Sequence, residues 1–320
     1  MGFKVRRWTP ANLLPVFFVC WVISAVWFLY VAMHLLTLLQ VWMPSNMAGR
    51  PFDDHMYQRG FVQAIISQTL AFMTVLCMGL AMFTDPGSVP ETPEWMPNRA
   101  GSVTAVSDQE VAPQYEVKYS GAPRQCKWCS CYKPDRCHHC RVCNSCILRM
   151  DHHCPWIANC VGFRNHKCFL LLVFYALTSC IFMISTMTES YSLLFHVQTT
   201  LTRRFLVIFG MTLLFMIGTL LALFFAFHVW LMLQAYTTID FCEKMYGNKS
   251  TPVYDLGYYR NVTAVLGPNP LLWLLPCGPS DGDGLHFEVS EKRAVRWQKR
   301  TAASSRYAAS SSSEAWIATS

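Results

Sequence analysis

Charge is what this 320-residue chain has little of: Asp, Glu, Lys and Arg make up 14% of it, against about 25% in average globular proteins. Together with 53% hydrophobic residues and a mean hydropathy of +0.25, that scarcity excludes disorder over most of the chain. It also argues against a purely soluble protein. Four runs contain no Asp, Glu, Lys or Arg at all: residues 13–39, 61–83, 169–187 and 205–233. At about 1.5 Å per residue, some 20 residues cross a hydrocarbon core of roughly 30 Å, so each run can span a bilayer. Spans without Asp, Glu, Lys or Arg offer no ion path, which speaks against a channel or transporter. No small-residue cleavage site follows the first run, and it is too long for a signal-peptide core, so it reads as an anchor. The Met-Gly start lacks the Ser or Thr that myristoylation wants, because Arg6 stands there. No internal repeat is evident.

The cations that do occur are unevenly placed. Lys4, Arg6 and Arg7 precede the first run, residues 84–168 hold ten, and residues 234–320 hold nine. The two remaining connections hold only Arg50, Arg59, Arg203 and Arg204. The positive-inside bias then puts both termini and the 84–168 loop in the cytosol. Asn248 and Asn261 begin glycosylation triplets, which stay bare in that topology. The expected organisation is residues 1–83 for the N-terminal flank and first two spans, and 84–168 for a cytosolic linker and cysteine-rich domain. Residues 169–233 hold the other two spans, 234–300 a C-terminal region at the membrane surface, and 301–320 a disordered Ala/Ser-rich tail. The expected fold class is thus an all-α membrane protein with four spans and a cysteine-rich domain between the second and third.

Ten of the fifteen cysteines lie between Cys126 and Cys168, which marks a local device rather than a disulfide scaffold. The loop reads Cys126-x-x-Cys129, His139-Cys140-x-x-Cys143-x-x-Cys146, His152-His153-Cys154, then Cys160. Zinc takes four ligands, and paired cysteines grip one ion from a short turn. Seven cysteines with suitable histidines fill two four-ligand sites and leave one cysteine over. Closed shells of mainly sulfur hold a fold without activating water, and the ions supply a core that so few apolar side chains cannot.

Asp151-His152-His153-Cys154 sets a carboxylate, two imidazoles and a thiol in four consecutive positions. A thiolate is the nucleophile, an imidazole can take its proton, and a carboxylate can fix the imidazole tautomer. From spacing alone a second reading stays open, in which both histidines and Cys154 merely extend the metal cluster.

The stretch from Cys126 to Phe169 resembles the cysteine-rich domain of the Asp-His-His-Cys (DHHC) protein S-acyltransferases, or palmitoyltransferases. The matching pieces are Cys126-x2-Cys129, Lys133-Pro134-Asp135-Arg136, His138-His139-Cys140-x2-Cys143-x2-Cys146, Met150-Asp-His-His-Cys-Pro-Trp156, Asn159-Cys-Val-Gly162 and Asn165-x3-Phe169. Asp85-Pro86-Gly87, Thr237-Thr238-Ile239-Asp240 and the segment 261–267 resemble further family motifs, although Asp240 stands where the family has Glu. Cys137 replaces a commoner Ser or Ala, and Cys131 and Cys168 are extra thiols.

The resemblance implies a two-step transfer of a long-chain acyl group, palmitoyl, from acyl-CoA to cysteines of cytosol-facing proteins. Cys154 would carry the acyl group, with His152 as base and Asp151 orienting it. It also implies the ligand pairing: Cys126, Cys129, His139 and Cys146 for one structural Zn2+, and Cys140, Cys143, His153 and Cys160 for the second. Cys154 lies fifteen residues before Phe169, and Trp156 suits the membrane boundary. Acyl burial among the spans contributes about 0.8 kcal/mol per methylene. For coenzyme A phosphates the loop offers Lys127, Lys133, Arg136, Arg141 and Arg149. Lys133 and Arg136 fall on the family motif and are grouped with Trp156 as acyl-CoA contacts; a solvated face near anionic headgroups is the alternative. The expected partners are acyl-CoA, protein substrates with accessible cysteines and the bilayer of an endomembrane (Golgi, ER or plasma membrane), not nucleic acid. A zinc adaptor without turnover competes, but it has no use for a spare thiol beside Asp151 and His152.

Overall fold

The structure, a computed structural model, describes residues 10–42, 51–96, 116, 123–196, 199–246, 254–278 and 280–290. Much of the expected linker, the Asn248 triplet and the C-terminal tail lie outside the described residues. Four helices are long and apolar enough to cross a membrane: α1 (Pro10–Leu38), α2 (Asp54–Phe83), α3 (His166–His196) and α4 (Leu201–Leu233). Pro10 opens α1 at a position where its missing N–H costs nothing. The Asp53 side chain caps α2 by accepting from the Met56 N–H at 3.0 Å. Thr200 caps α4 in the same way at Arg203. α2 packs along α3, and α3 along α4. At Gly60 an added Cβ would come within 2.7 Å of the Leu38 Cβ, so only glycine lets α2 meet the end of α1.

Large apolar side chains face outward on these helices, among them Phe17, Phe18, Trp21, Phe72 and Phe215. Water would penalise such a surface, whereas lipid accepts it. The few polar groups inside the apolar runs find one another, as a lipid environment requires. α1 widens to π-helical geometry over Val31–Leu35, and His34 there is buried between Ser190 (Nδ1–Oγ 2.8 Å) and Gln63 (Nε2–Oε1 2.7 Å). The helices exceed the expected runs: α2 begins at Asp54 rather than residue 61, and α3 continues from 187 to His196. Their extra turns carry polar partners, such as Arg59 and Glu189 at 3.1 Å.

The fold departs from the all-helical expectation in the cysteine-rich region. Strand β1 (His138–Cys140) pairs antiparallel with β2 (Ser145–Ile147), and β3 (His152–Cys154) with β4 (Asn159–Val161). Three-residue strands are too short to show an alternating pattern in sequence. Asn159 ties this region to the membrane helices. Its amide donates to the carbonyls of Ala81, Met82 and Thr84 at 3.0, 3.2 and 2.9 Å, where α2 runs out of its own hydrogen bonds. Asn165 donates to Ala81 O and Cys160 O as well.

After α4 come α5 (Thr238–Tyr246) and α6 (Tyr258–Leu266). Thr237 and Asp240 form a reciprocal cap on α5: Asp240 N donates to Thr237 Oγ1 and Thr237 N to Asp240 Oδ2. The Asn261 amide is enclosed, donating to Leu233 O and Asp255 Oδ1, each at 2.8 Å, so this triplet serves structure.

Candidate active site and metal centres

Each strand pair presents a histidine directly opposite a cysteine. His139 faces Cys146 on β1–β2, and His153 faces Cys160 on β3–β4. A Cys-x-x-Cys turn closes each set, giving Cys126, Cys129, His139 and Cys146 in one and Cys140, Cys143, His153 and Cys160 in the other. Within each set the four donor atoms lie within 4.8 Å of one another. Tetrahedral zinc, with bonds of about 2.3 Å to sulfur and about 2.0 Å to nitrogen, holds such atoms roughly 3.6 Å apart. His139 Nδ1 lies 3.3 Å from Cys129 Sγ and 3.9 Å from Cys146 Sγ. His153 Nδ1 lies 3.6, 3.4 and 3.5 Å from Cys140, Cys143 and Cys160. Both donor sets therefore fit a zinc-sized ion with a closed shell.

The two sets are copies of one unit. Each ligand of the second stands 14 residues after its counterpart: Cys126 and Cys140, Cys129 and Cys143, His139 and His153, Cys146 and Cys160. This corrects the expectation that the chain lacks an internal repeat, because the repeat lies in the ligands and the residues beside them rather than in an apolar pattern. In the same register His138-His139-Cys140 corresponds to His152-His153-Cys154. Cys154 occupies the place of a ligand whose Cys-x-x-Cys partner is missing, since Ile157 stands three residues on.

Alternation along β3 then separates the two histidines. Successive side chains in a strand point to opposite faces, so His153 turns to the cysteine set while His152 and Cys154 share the other face. Pro155 favours extended backbone at Cys154 (φ −104°, ψ 109°) and starts the turn that ends the strand. The Cys154 side chain is buried, with 5% of the residue exposed, against Ala81, Ile157, Val161, Phe169 and Val173. Leu221 and Phe225 join that cluster, so α2, α3 and α4 all contribute to it. The thiol thus packs into an apolar cluster built by three membrane helices.

Asp151 is 1% exposed and fully engaged. Its Oδ2 accepts from His152 Nδ1 at 2.7 Å and from Thr238 Oγ1 at 2.8 Å, and its Oδ1 from Thr238 N at 2.8 Å. Burial opposes ionisation, but the His152 bond and the surrounding imidazoles hold the carboxyl well below the usual carboxylate range. Burial likewise opposes the His152 imidazolium, yet bonds to Asp151 and to Cys154 push it up to about 9. A carboxylate, an imidazole and a thiol in series, with the thiol at an apolar cluster, are the parts of a nucleophilic acyl-transfer site.

A family model described as DHHC palmitoyltransferase matches residues 120–245. Probable protein S-acyltransferase 16 of Arabidopsis thaliana is 34% identical over 243 residues, covering 72% of this chain and 82% of that protein. Probable protein S-acyltransferase 15 of the same plant is 32% identical, over 72% and 90% of the two chains. Palmitoyltransferase ZDHHC15 of Homo sapiens is 37% identical over 55% of this chain, which spans 53% of that protein. The chain belongs to the DHHC palmitoyltransferase family. With its four apolar helices it is a multi-pass membrane protein.

The remaining sequence-predicted residues of this DHHC chain fall in different surroundings. Trp156 is half exposed, its ring 6.3 Å from that of Phe18 on α1. Lys133 is partly buried at the edge of the cysteine-rich region. Arg136, expected among the phosphate contacts, is instead enclosed, with a side chain 3% exposed. Its guanidinium donates to Asp240 Oδ2 at 2.7 Å and Ala235 O at 2.9 Å, and it lies over the Tyr254 and Phe287 rings.

Two histidines escaped sequence reasoning. His166 and His228 each bring a ring nitrogen within 4.8 Å of an Asp151 oxygen and of each other. His228 also lies 5.8 Å from His152, ring to ring. Asp151 already accepts three hydrogen bonds, so the trio reads as imidazoles gathered around one anion rather than a third metal centre. The signal that pointed to His228 was a lone imidazole inside the fourth apolar run.

Proposed function

We propose that this chain transfers a long-chain acyl group, palmitoyl, from acyl-CoA to cysteine thiols of proteins by way of a thioester on Cys154. Membership in the palmitoyltransferase family supports the reaction class. The observation that carries the assignment of Cys154 is its separation from both cysteine–histidine sets, on the strand face opposite His153 and against the apolar cluster. In the first step the Cys154 sulfur attacks the thioester carbonyl, the bond to the coenzyme A sulfur breaks, and that sulfur leaves with a proton. In the second, a substrate thiol attacks the new thioester and Cys154 recovers its proton. His152 handles the proton at Cys154, and Asp151 with Thr238 fixes the imidazole so that Nδ1 faces the carboxylate. Exchange of one thioester for another is nearly balanced, so positioning is the main task. The acyl chain enters beside the apolar cluster shared by α2, α3 and α4.

Two zinc ions, held by Cys126, Cys129, His139 and Cys146 and by Cys140, Cys143, His153 and Cys160, keep β1–β4 folded. A closed sulfur-rich shell supplies structure and no chemistry at the substrate. Lys133 and Trp156 are the remaining candidates for contact with acyl-CoA, whereas Arg136 is a structural post. The excess of Lys and Arg in the N-terminal flank, the 84–168 loop and the C-terminal region supports a cytosolic face for the site. The compartment is an endomembrane with its substrates on that face.

Incubation of purified protein with labelled palmitoyl-CoA tests the proposal. A hydroxylamine-sensitive label is expected on Cys154, and Cys154→Ser is expected to lose label and transfer while keeping both zinc ions. Loss of zinc in Cys154→Ser would remove Cys154 as the free nucleophile.

A further inference from the structure

The segment after α6 shows Leu271, Leu274 and Leu275 to the outside, at 87%, 57% and 45% exposure, although three of its carbonyls are tied to α3. Buried Lys167, one residue into α3, donates from Nζ to Leu272 O at 2.8 Å and to Cys277 O at 2.7 Å. Tyr175, further along α3, donates its hydroxyl to Leu274 O at 2.6 Å. The Trp273 indole N–H reaches Gly267 O at 2.9 Å. Backbone N–H groups are also taken: Leu271 by the Asn269 side chain, Leu272 by Asn269 O, Trp273 by Pro270 O and Leu275 by Leu272 O.

These bonds define a dip. The segment enters and leaves at the level of Lys167, and its midpoint reaches Tyr175. The 31 residues of α3 are roughly 46 Å long, about 16 Å more than the hydrocarbon core, so a centred helix stands about 8 Å proud at each end. Tyr175 lies nine residues in, about 13 Å along the axis, and helical side chains lean toward the N-terminus. Leu274 therefore sits at about the hydrocarbon boundary. A loop bathed in water leaves its carbonyls to water. Here side chains from α3 take three of them, and the large side chains left outside are leucines, flanked by exposed Pro268, Asn269 and Pro270, an arrangement that suits irregular backbone in lipid.

We propose that residues 267–278 form a wedge inserted in the lipid leaflet at the N-terminal end of α3, with Leu271, Leu274 and Leu275 among the acyl chains. Tyr258 and Tyr259, exposed at the start of α6, mark its rim at headgroup level. The occupant is the bilayer because the apolar face continues from α3 at a depth fixed by Lys167 and Tyr175. The wedge rests on the four helices spanning a membrane, and the test reads that premise separately.

The full chain is reconstituted in phosphatidylcholine nanodiscs with a photoreactive benzophenone amino acid at Leu271, Leu274, Phe215 or Val142. Phe215 is exposed midway along α4, and Val142 is exposed in the cysteine-rich region. Irradiation is expected to give lipid adducts at Leu271 and at Leu274 within about threefold of Phe215 and at least about tenfold above Val142. Yields at the Val142 level while Phe215 labels would overturn the wedge, as would cross-linking to a second copy of the chain. Failure of Phe215 to label would remove the spanning premise and the wedge with it. Two probe sites, each checked for monodisperse elution, keep one poorly folded variant from deciding the result.

Discussion

Thr238 touches neither the thiol nor, by any hydrogen bond, the imidazole, yet it supplies two of the three hydrogen bonds that Asp151 accepts. Its hydroxyl competes for the same Oδ2 that holds His152, so it sets the angle at which the carboxylate meets the ring. Thr238→Val keeps the shape and the backbone bond but removes the hydroxyl. Single-turnover labelling of Cys154 is expected to slow on the order of 10- to 100-fold, with unchanged zinc content. Asp151→Asn goes further, because an amide can hold the imidazole in the wrong tautomer. A loss of up to about 10⁴-fold is expected in the same measurement. His153→Ala, on the opposite face of β3, should instead lower bound zinc from two ions to one and reduce thermal stability, as metal analysis with a melting curve would reveal.

At the scale of elements, α5 is docked by the buried pair Arg136–Asp240. Burial works against the Asp240 carboxylate, but the Arg136 guanidinium and the cap at Thr237 hold it below its ordinary range. Asp240→Ala leaves an enclosed guanidinium without its counter-charge, and a loss of about 3–5 kcal/mol is expected from thermal or denaturant unfolding. Asp240→Glu, the residue usual in this motif, should stay within about 1 kcal/mol of the parent chain.

These dockings explain what could and could not be read from the chain. The two donor sets, and a cysteine outside them, were legible because they are packed into the 35 residues from Cys126 to Cys160, where spacing gives the count of eight donors and the family resemblance their pairing. The apolar helices were legible from length and charge, although their ends were set too short where polar caps carry on the helix. Arg136 read as a phosphate ligand because nothing near it reveals Asp240, 104 residues away. Thr238 is 87 residues from Asp151, and that contact exists only through the packing of α5. The 14-residue repeat was hidden because its unit is a set of ligands, with no apolar pattern to mark it.

At the scale of the whole molecule, the proposed zinc centres and the membrane helices would sustain the two halves of the fold differently. A strong chelator is expected to release two zinc ions and abolish Cys154 labelling, while most of the helical circular dichroism signal survives in detergent. Orientation has its own check. With Asn261 enclosed, the Asn248 triplet is the one to read, and endoglycosidase treatment of the expressed protein is expected to leave its mobility unchanged. A mobility shift would put the 234–300 region on the lumenal side.

The bonds from Asn159 to the last carbonyls of α2 have a consequence for biosynthesis. The ribosome completes α2 some 75 residues before it makes the side chain that finishes that helix end. Until then the carbonyls of Ala81 and Thr84 lack the bonds that Asn159 gives them. The nascent protein therefore passes through a stage with two inserted helices and an open seam, which closes only when the hairpin bearing Asn159 emerges. On the proposal that zinc builds that hairpin, a cell short of the metal would hold newborn chains at that stage, and quality control would meet them there as half-built membrane proteins.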